Sequence, residues 1–252
     1  MNRLQGKVAL ITGGNSGIGY ASAQQFLAEG ASQVIITGRN AEAVEQAVHT
    51  LGPKATGLVS DTGNMVHIGQ LAEQVKASTD HIDILFINAG TGKFLPIEFM
   101  TEDAFDLNMD VNFKGAYFTI QALLPLMTEG GSIVLNTSIN AHIGMPTASV
   151  YSASKAALIS LARNLSAELL PRRIRVNAIS PGPVVTPFHS TQKLGITEEQ
   201  LGQMGAGILS QIPVGRFGTM DEIAKTVVFF ASDESSFVLG AELIADGGMS
   251  TL

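Results

Sequence analysis

The 252-residue chain contains no cysteine and no tryptophan, and only 6% of its residues are aromatic. Without cysteine there can be no disulfide, thiolate zinc site, iron–sulfur cluster or thiol nucleophile. Charged residues make up only 15%, against about 25% in an average soluble protein. The 15 Lys and Arg are outnumbered by 22 Asp and Glu, giving a net charge of −7. That balance argues against a nucleic-acid partner held through phosphate neutralisation. Long apolar runs are also missing. The first, Val8 to Ile11 followed by Thr12, is too short for a signal-peptide core or a membrane span. The expectation is a cytoplasmic protein with no membrane partner. The five histidines, His49, His67, His81, His142 and His189, are scattered without metal-ligand spacing, so no metal site is expected.

Apolar residues, in contrast, make up 45% and glycine is abundant at 27 residues. Short Val- and Ile-rich runs stand at Lys7–Thr12, Gln33–Thr37, Ala55–Val59, Ile82–Ile87, Ser132–Thr137, Arg175–Ile179 and Leu243–Ala245. They show little polar alternation, as expected of strands buried on both faces of a parallel sheet. Helical patterns separate them: Gly17–Glu29, Ala41–Leu51, Met65–Ser78, Glu102–Met127, Val150–Leu170 and Met220–Ala231. This alternation predicts a doubly wound α/β fold with helices on both faces. No linker divides residues 1–252, so one domain is expected. The polar stretch His189–Gly207 interrupts the pattern and is long for such a connection. It predicts a partly helical flap at about 187–210 over a site, the alternative being a surface excursion without a role.

The first strand runs into Thr12-Gly13-Gly14-Asn15-Ser16-Gly17-Ile18-Gly19 and then a helix. A strand-to-helix turn directs backbone N–H groups and a helix N-terminus toward a pyrophosphate. Glycine suits positions of positive φ or close ligand approach. A merely tight turn is the alternative. The second strand ends Thr37-Gly38-Arg39-Asn40, with no acid to hold a ribose 2′-hydroxyl. A guanidinium there suits a 2′-phosphate, which predicts NADP(H), with NAD(H) possible. Otherwise Arg39 is a solvated loop residue.

The chain has only three tyrosines. Tyr151 precedes Lys155 by four residues, so the two share one helix face. A lysine one turn away favours the phenolate and is expected to lower the tyrosine's pKa from about 10, making a proton donor or acceptor near neutral pH. Ser138 lies just past the fifth strand, at the sheet end where open α/β sheets bind ligands.

Taken together, these motifs resemble the short-chain dehydrogenase/reductase family from Lys7 to Gly248. The carrying residues are Thr12-Gly13…Gly17-Ile18-Gly19, Asn88-Ala89-Gly90, Asn112, Ser138, Tyr151 with Lys155, Pro181-Gly182 and Asp246-Gly247-Gly248. Ile87 departs from the asparagine that often precedes Asn-Ala-Gly. Ser16 stands where some NADP-dependent members carry a basic residue, which leaves Arg39 as the main basic contact. The resemblance implies a Rossmann fold with a seven-stranded parallel sheet of order 3-2-1-4-5-6-7. It also implies that Tyr151 is the proton donor and acceptor, and that Ser138 hydrogen-bonds a substrate carbonyl. Lys155 would hold the nicotinamide ribose, and Asn112 would bend its helix and anchor a water of a proton relay. Asp61, with Thr62, would meet the adenine, Asn88, Ala89 and Gly90 the ribose region, and Pro181, Gly182, Val184 and Thr186 the nicotinamide. Gly13, Asn15, Ser16, Gly17, Ile18 and Gly19 would surround the phosphates, with Arg39 and Asn40 at the adenosine ribose. A homotetramer is the implied assembly.

Phe94, Ile139, His142, Ile143, Met145, Val185, Phe188 and Met204 are the candidate substrate pocket. Their mostly apolar character predicts a small, neutral, fairly apolar ketone or secondary alcohol. The rival enzyme is a 3-oxoacyl-[acyl-carrier-protein] reductase. Such relatives usually carry basic residues just before strand five, where this chain has Met127-Thr128-Glu129-Gly130-Gly131. A non-catalytic nucleotide sensor would be expected to lack the intact Ser–Tyr–Lys set. Ser138 with His142 raises the alternative of a hydrolase, but no G-x-S-x-G elbow surrounds them.

Overall fold

The computed structural model describes residues 2–186 and 197–252. Seven parallel strands form one sheet: β1 Val8–Ile11, β2 Gln33–Gly38, β3 Ala55–Val59, β4 Ile82–Ile87, β5 Met127–Asn136, β6 Arg175–Pro181 and β7 Glu242–Ala245. Their order is β3-β2-β1-β4-β5-β6-β7, as the family resemblance implies. Eight α-helices are found among the described residues: α1 Gly17–Ala28, α2 Ala41–Leu51, α3 Met65–Lys76, α4 Glu102–Met109, α5 Gly115–Leu123, α6 Ser149–Glu168, α7 Glu198–Leu209 and α8 Met220–Ala231.

Alternate residues of the central strands supply two apolar layers. Leu10, Ile35, Leu85, Ile133 and Val176 pack with α3, α5 and α6 through Leu71, Val75, Ile120, Leu158 and Leu165. Ala9, Ile11, Val34, Ile36, Phe86 and Val134 pack with α1 and α8 through Ala23, Phe26, Ile223, Val227 and Phe230. Burial on both faces explains the unbroken apolar runs.

One expectation is corrected. The predicted helix Glu102–Met127 is not continuous. It passes through a π-helical turn at Asp110–Lys114 and ends in a 3₁₀ turn at Leu124–Leu126. Pro125 lacks the N–H and fits only the first positions of that turn. β5 then begins at Met127 rather than Ser132, because Met127 pairs with Ile82 before a register shift leads to the Ile84–Ser132 pairing. The expected flap falls only partly among the described residues. Its described part is α7, closed at the N-terminus by a capping box between Thr197 and Gln200. Residues 187–196 lie outside the described residues, Phe188 and His189 among them.

The cluster of arginines after α6 serves the fold. Arg172 donates to the carbonyls of Leu124 and Met127 at 3.0 and 2.7 Å. Arg175, buried on β6, donates to the carbonyls of Phe230, Ser232 and Ser235 at 2.9, 3.0 and 3.2 Å. It thereby satisfies the C-terminal end of α8 and the turn after it. Arg175→Met should destabilise the fold by about 2–3 kcal/mol, because buried carbonyls lose their donor. Urea denaturation at fixed protein concentration reads this as a lower midpoint with an unchanged slope.

Candidate active site

The C-terminal ends of the strands open into a cavity of about 770 Å³. This is the size expected of a small-ligand site. One end is built by the glycine turn. Gly13 and Gly17 have φ of +63° and +59°, the left-handed region that glycine enters without strain. A Cβ on Gly19 would lie 2.4 Å from the Gly13 carbonyl oxygen, whereas one on Gly17 would meet no protein atom within 4 Å. Gly19 therefore packs the turn and does not line the cavity, while Gly17 leaves open space at the start of α1. The N-cap residue Ser16 makes no side-chain capping bond and the first turn carries no acid. Its N–H groups and positive helix end thus face the cavity without an internal anion.

Next to this turn, Arg39 and Asn40 line the cavity beyond β2. The Asn40 side chain caps α2 by accepting from the Ala43 N–H at 2.8 Å. Arg39 is exposed. A Cβ on Gly38 would meet Asn15 Oδ1 at 2.6 Å, so this glycine lets β2 and the turn approach. Asp61 accepts from the Gly63 N–H at 2.9 Å and lines the cavity with Thr62. Asn88, Ala89 and Gly90 complete this half. An open helix N-terminus and a glycine cradle fit the pyrophosphate of a nicotinamide dinucleotide, with the Arg39 guanidinium at the far rim.

At the other end, α6 carries Tyr151 and Lys155 into the cavity. Ser138 caps the 3₁₀ turn Ile139–Ala141 by accepting from the Asn140 N–H at 3.2 Å, and its hydroxyl lies near enough to the Tyr151 phenol to favour the phenolate. Phe94 packs its ring on Tyr151 with centroids 5.2 Å apart. The Lys155 ammonium stands 5.8 Å from the Tyr151 ring centroid and donates to the Asn136 carbonyl at 2.8 Å.

Burial sets the titration of both groups. It pulls Lys155 down to about 8 and pushes Tyr151 above its ordinary value of 10, opposed by the nearby Ser138 hydroxyl. The expectation that Lys155 lowers the tyrosine is thus corrected: loss of solvation of the phenolate outweighs it.

Among the other sequence-derived candidates, Ile139, Ile143, Met145, Val185 and Met204 line the cavity with Pro181, Gly182, Val184 and Thr186. Two do not. Asn112 is buried in the π-helical turn, where it accepts from the Thr91 N–H at 2.8 Å and donates to the Thr91 carbonyl and Ser154 Oγ. It fastens the loop after β4 to α6. His142 turns away to Glu242, with Nε2 2.6 Å from Oε1.

Sequence reasoning missed Asn136, Leu201, Gly205, Ile208 and Phe217, all of which line the cavity. Asn136 alone gave a signal, as a polar residue closing an apolar strand two positions before Ser138. It donates to Asn88 Oδ1 at 2.9 Å.

A family model described as enoyl-(acyl carrier protein) reductase matches residues 13–250. The oxidoreductase asL5 of Sarocladium schorii is 38% identical over 100% of this chain and 99% of its own. The 3-oxoacyl-[acyl-carrier-protein] reductase FabG of Thermotoga maritima is 37% identical over 98% and 99%. The chain belongs to the short-chain dehydrogenase/reductase family. Among solved structures, L-sorbose reductase from Gluconobacter frateurii, complexed with NADPH and L-sorbose, superposes with a TM-score of 0.92. It is 28% identical and covers 100% of both chains. No helix among the described residues is long and apolar enough to cross a membrane.

A lysine depressed from 10.5 to about 8 costs stability wherever the unfolded chain holds the proton more tightly. The cost is full below pH 8 and fades between pH 8 and 10.5. It is on the order of 3 kcal/mol, offset in a variant by the stranded Asn136 carbonyl. Lys155→Met should therefore be more stable than the wild type at pH 7, by about 1–2 kcal/mol. That gain should shrink toward pH 10 in thermal denaturation followed across pH.

Proposed function

We propose that this oxidoreductase reduces a small, neutral, fairly apolar ketone to a secondary alcohol, reversibly, with NADP(H) as the preferred cofactor. One observation carries the reading: Ser138, Tyr151 and Lys155 converge where the dinucleotide-sized cradle meets the apolar end of the same cavity. When bound, the cofactor supplies the hydride that the carbonyl carbon receives. The protein handles the oxygen. Ser138 and Tyr151 direct hydroxyl donors at it, and charge developing there is stabilised by donors already in place. Tyr151 then gives up its phenolic proton, and the hydride and this proton together make the alcohol. The raised pKa keeps that proton on the phenol at neutral pH, which suits the reducing direction. Lys155, close by and buried, offsets the phenolate charge left behind.

Among the described cavity-lining residues, charge is confined to Arg39, Asp61 and Lys155. Lys155 apart, no described residue at the apolar end is charged, which supports a neutral substrate. The acyl-carrier alternative gains no such support. Arg172 is committed to backbone carbonyls, and Arg173 faces Glu129 at 3.4 Å. The reading extends to assembly. Exposed Phe105 and Tyr117 on α4 and α5, with Phe237 and Leu252 near the C-terminus, support self-association into the expected homotetramer.

Tyr151→Phe removes the proton donor and almost no volume. Its kcat for ketone reduction should fall by about 10²- to 10⁴-fold, with NADPH binding intact by calorimetry. Retention of ordinary turnover would sink the mechanism.

Arg39→Ala tests the cofactor choice. An exposed guanidinium–phosphate contact is worth the low end of about 1.5–3 kcal/mol, so kcat/KM with NADPH should drop about tenfold and that with NADH should stay nearly level. Equal losses with both cofactors would reduce Arg39 to a loop-shaping role.

A further inference from the structure

The residues of α7 that face the cavity are Leu201, Met204, Gly205 and Ile208. They recur at i, i+3, i+4 and i+7, the spacing of a single helix face. These four are half-buried, while Gly202, Gln203, Ala206 and Gly207 between them are exposed. α7 therefore lays one apolar stripe over the substrate end of the cavity, and the stripe has a gap in its middle. At Gly205 a Cβ would meet no atom within 4 Å among the described residues outside its own helix backbone. No described neighbour requires a glycine there, since the residue is helical and none of them crowds it. Glycine nonetheless weakens a helix relative to alanine, and α7 carries three of them. Neither Gly202 nor Gly207 lines the cavity.

We infer that Gly205 is the size-determining residue of the substrate site: its missing side chain leaves a recess under α7 for a ring-sized or branched apolar substituent on one side of the ketone. This rests on the carbonyl-reductase reading and names the substrate class within it. The surroundings of the recess agree. Met204, Met145 and Met249 line the same cavity, and unbranched thioether side chains adapt to irregular apolar shapes. The binding term is hydrophobic, so it grows with the apolar area removed from water.

The test compares Gly205→Ala, Gly205→Leu and Gly202→Ala with the wild type. Two methyl ketones, cyclohexyl methyl ketone and 2-butanone, serve as probes with NADPH. Both alanine variants should raise the melting temperature by about 2–4 °C, because each removes a helical glycine. Only the changes at position 205 should alter selectivity. Gly205→Leu should lower kcat/KM for the cyclohexyl ketone by about 10- to 200-fold and that for 2-butanone by far less. Gly205→Ala should shift the same ratio by a smaller factor, and Gly202→Ala should leave it unchanged. Equal effects of Gly205→Leu on both ketones, or none, in a protein that melts normally and turns over, overturn the size argument alone. Turnover of neither ketone by the wild type overturns the carbonyl-reductase reading and this inference together.

Discussion

The side chain of Asn88 holds the two halves of the cavity in one geometry. β1 and β4 lie side by side where the strand order reverses, so their C-terminal ends diverge into a crevice. Thr12 Oγ1 accepts from the N–H groups of Asn88 and Ala89 at 2.9 and 3.0 Å. Asn88 Nδ2 returns donors to the carbonyls of Thr12 and Gly13 at 3.0 and 3.2 Å. Its remaining oxygen accepts from Asn136, whose own carbonyl receives Lys155. The glycine turn, the loop after β4 and the lysine of α6 are thus links of one hydrogen-bonded chain. A displacement at any link would reach the others, since buried polar networks of this kind tolerate partial satisfaction poorly.

That chain also explains how a lysine can be kept in a site that burial makes expensive. Lys155 is dry enough to be pulled down to about 8, a cost the fold carries at neutral pH. Among the described residues its one hydrogen-bond partner is the Asn136 carbonyl. The tyrosine one turn earlier is pushed the other way. Both shifts favour the uncharged forms. A phenol that keeps its proton beside an ammonium that gives its proton up easily is a pair poised to exchange charge when a substrate oxygen arrives. The same burial that strains the resting site makes each donor stronger there, because fewer water dipoles screen it.

Much of this was legible in the residues, and the failures have physical causes. The strands were readable because two-sided burial leaves runs such as Val34-Ile35-Ile36 with no polar interruption. The glycine turn and Tyr151 with Lys155 were readable because each is local, a few residues apart on one element. The break in Glu102–Met127 was not, because a π-helical turn at Asn112 depends on its bonds to Thr91 and Ser154, contacts 21 and 42 residues away. His142 was misjudged for a similar reason. Its proximity to Ser138 in sequence suggested the pocket, but Glu242 on β7 draws its ring aside. The direction of the Tyr151 shift failed because spacing shows the neighbouring charge and says nothing of how dry the site is.

Glycine serves opposite purposes in the two ends of the cavity, and the difference lies in what a Cβ would meet. At Gly13 the positive φ itself demands glycine, and at Gly19 a methyl group would strike the Gly13 carbonyl. Those residues are requirements of the fold, and the cradle's shape follows from them. At Gly205 the backbone is ordinary helix and no described neighbour fills the space a Cβ would take. Backbone geometry exerts no pressure there, and helix propensity presses the other way. An unforced glycine facing a cavity is therefore explained by the cavity. By this logic the cradle resists substitution through its own mechanics, while the substrate end is free to change its size one side chain at a time. A fold shared with relatives as different as a sorbose reductase and an acyl-carrier reductase is consistent with specificity residing in positions of that second kind.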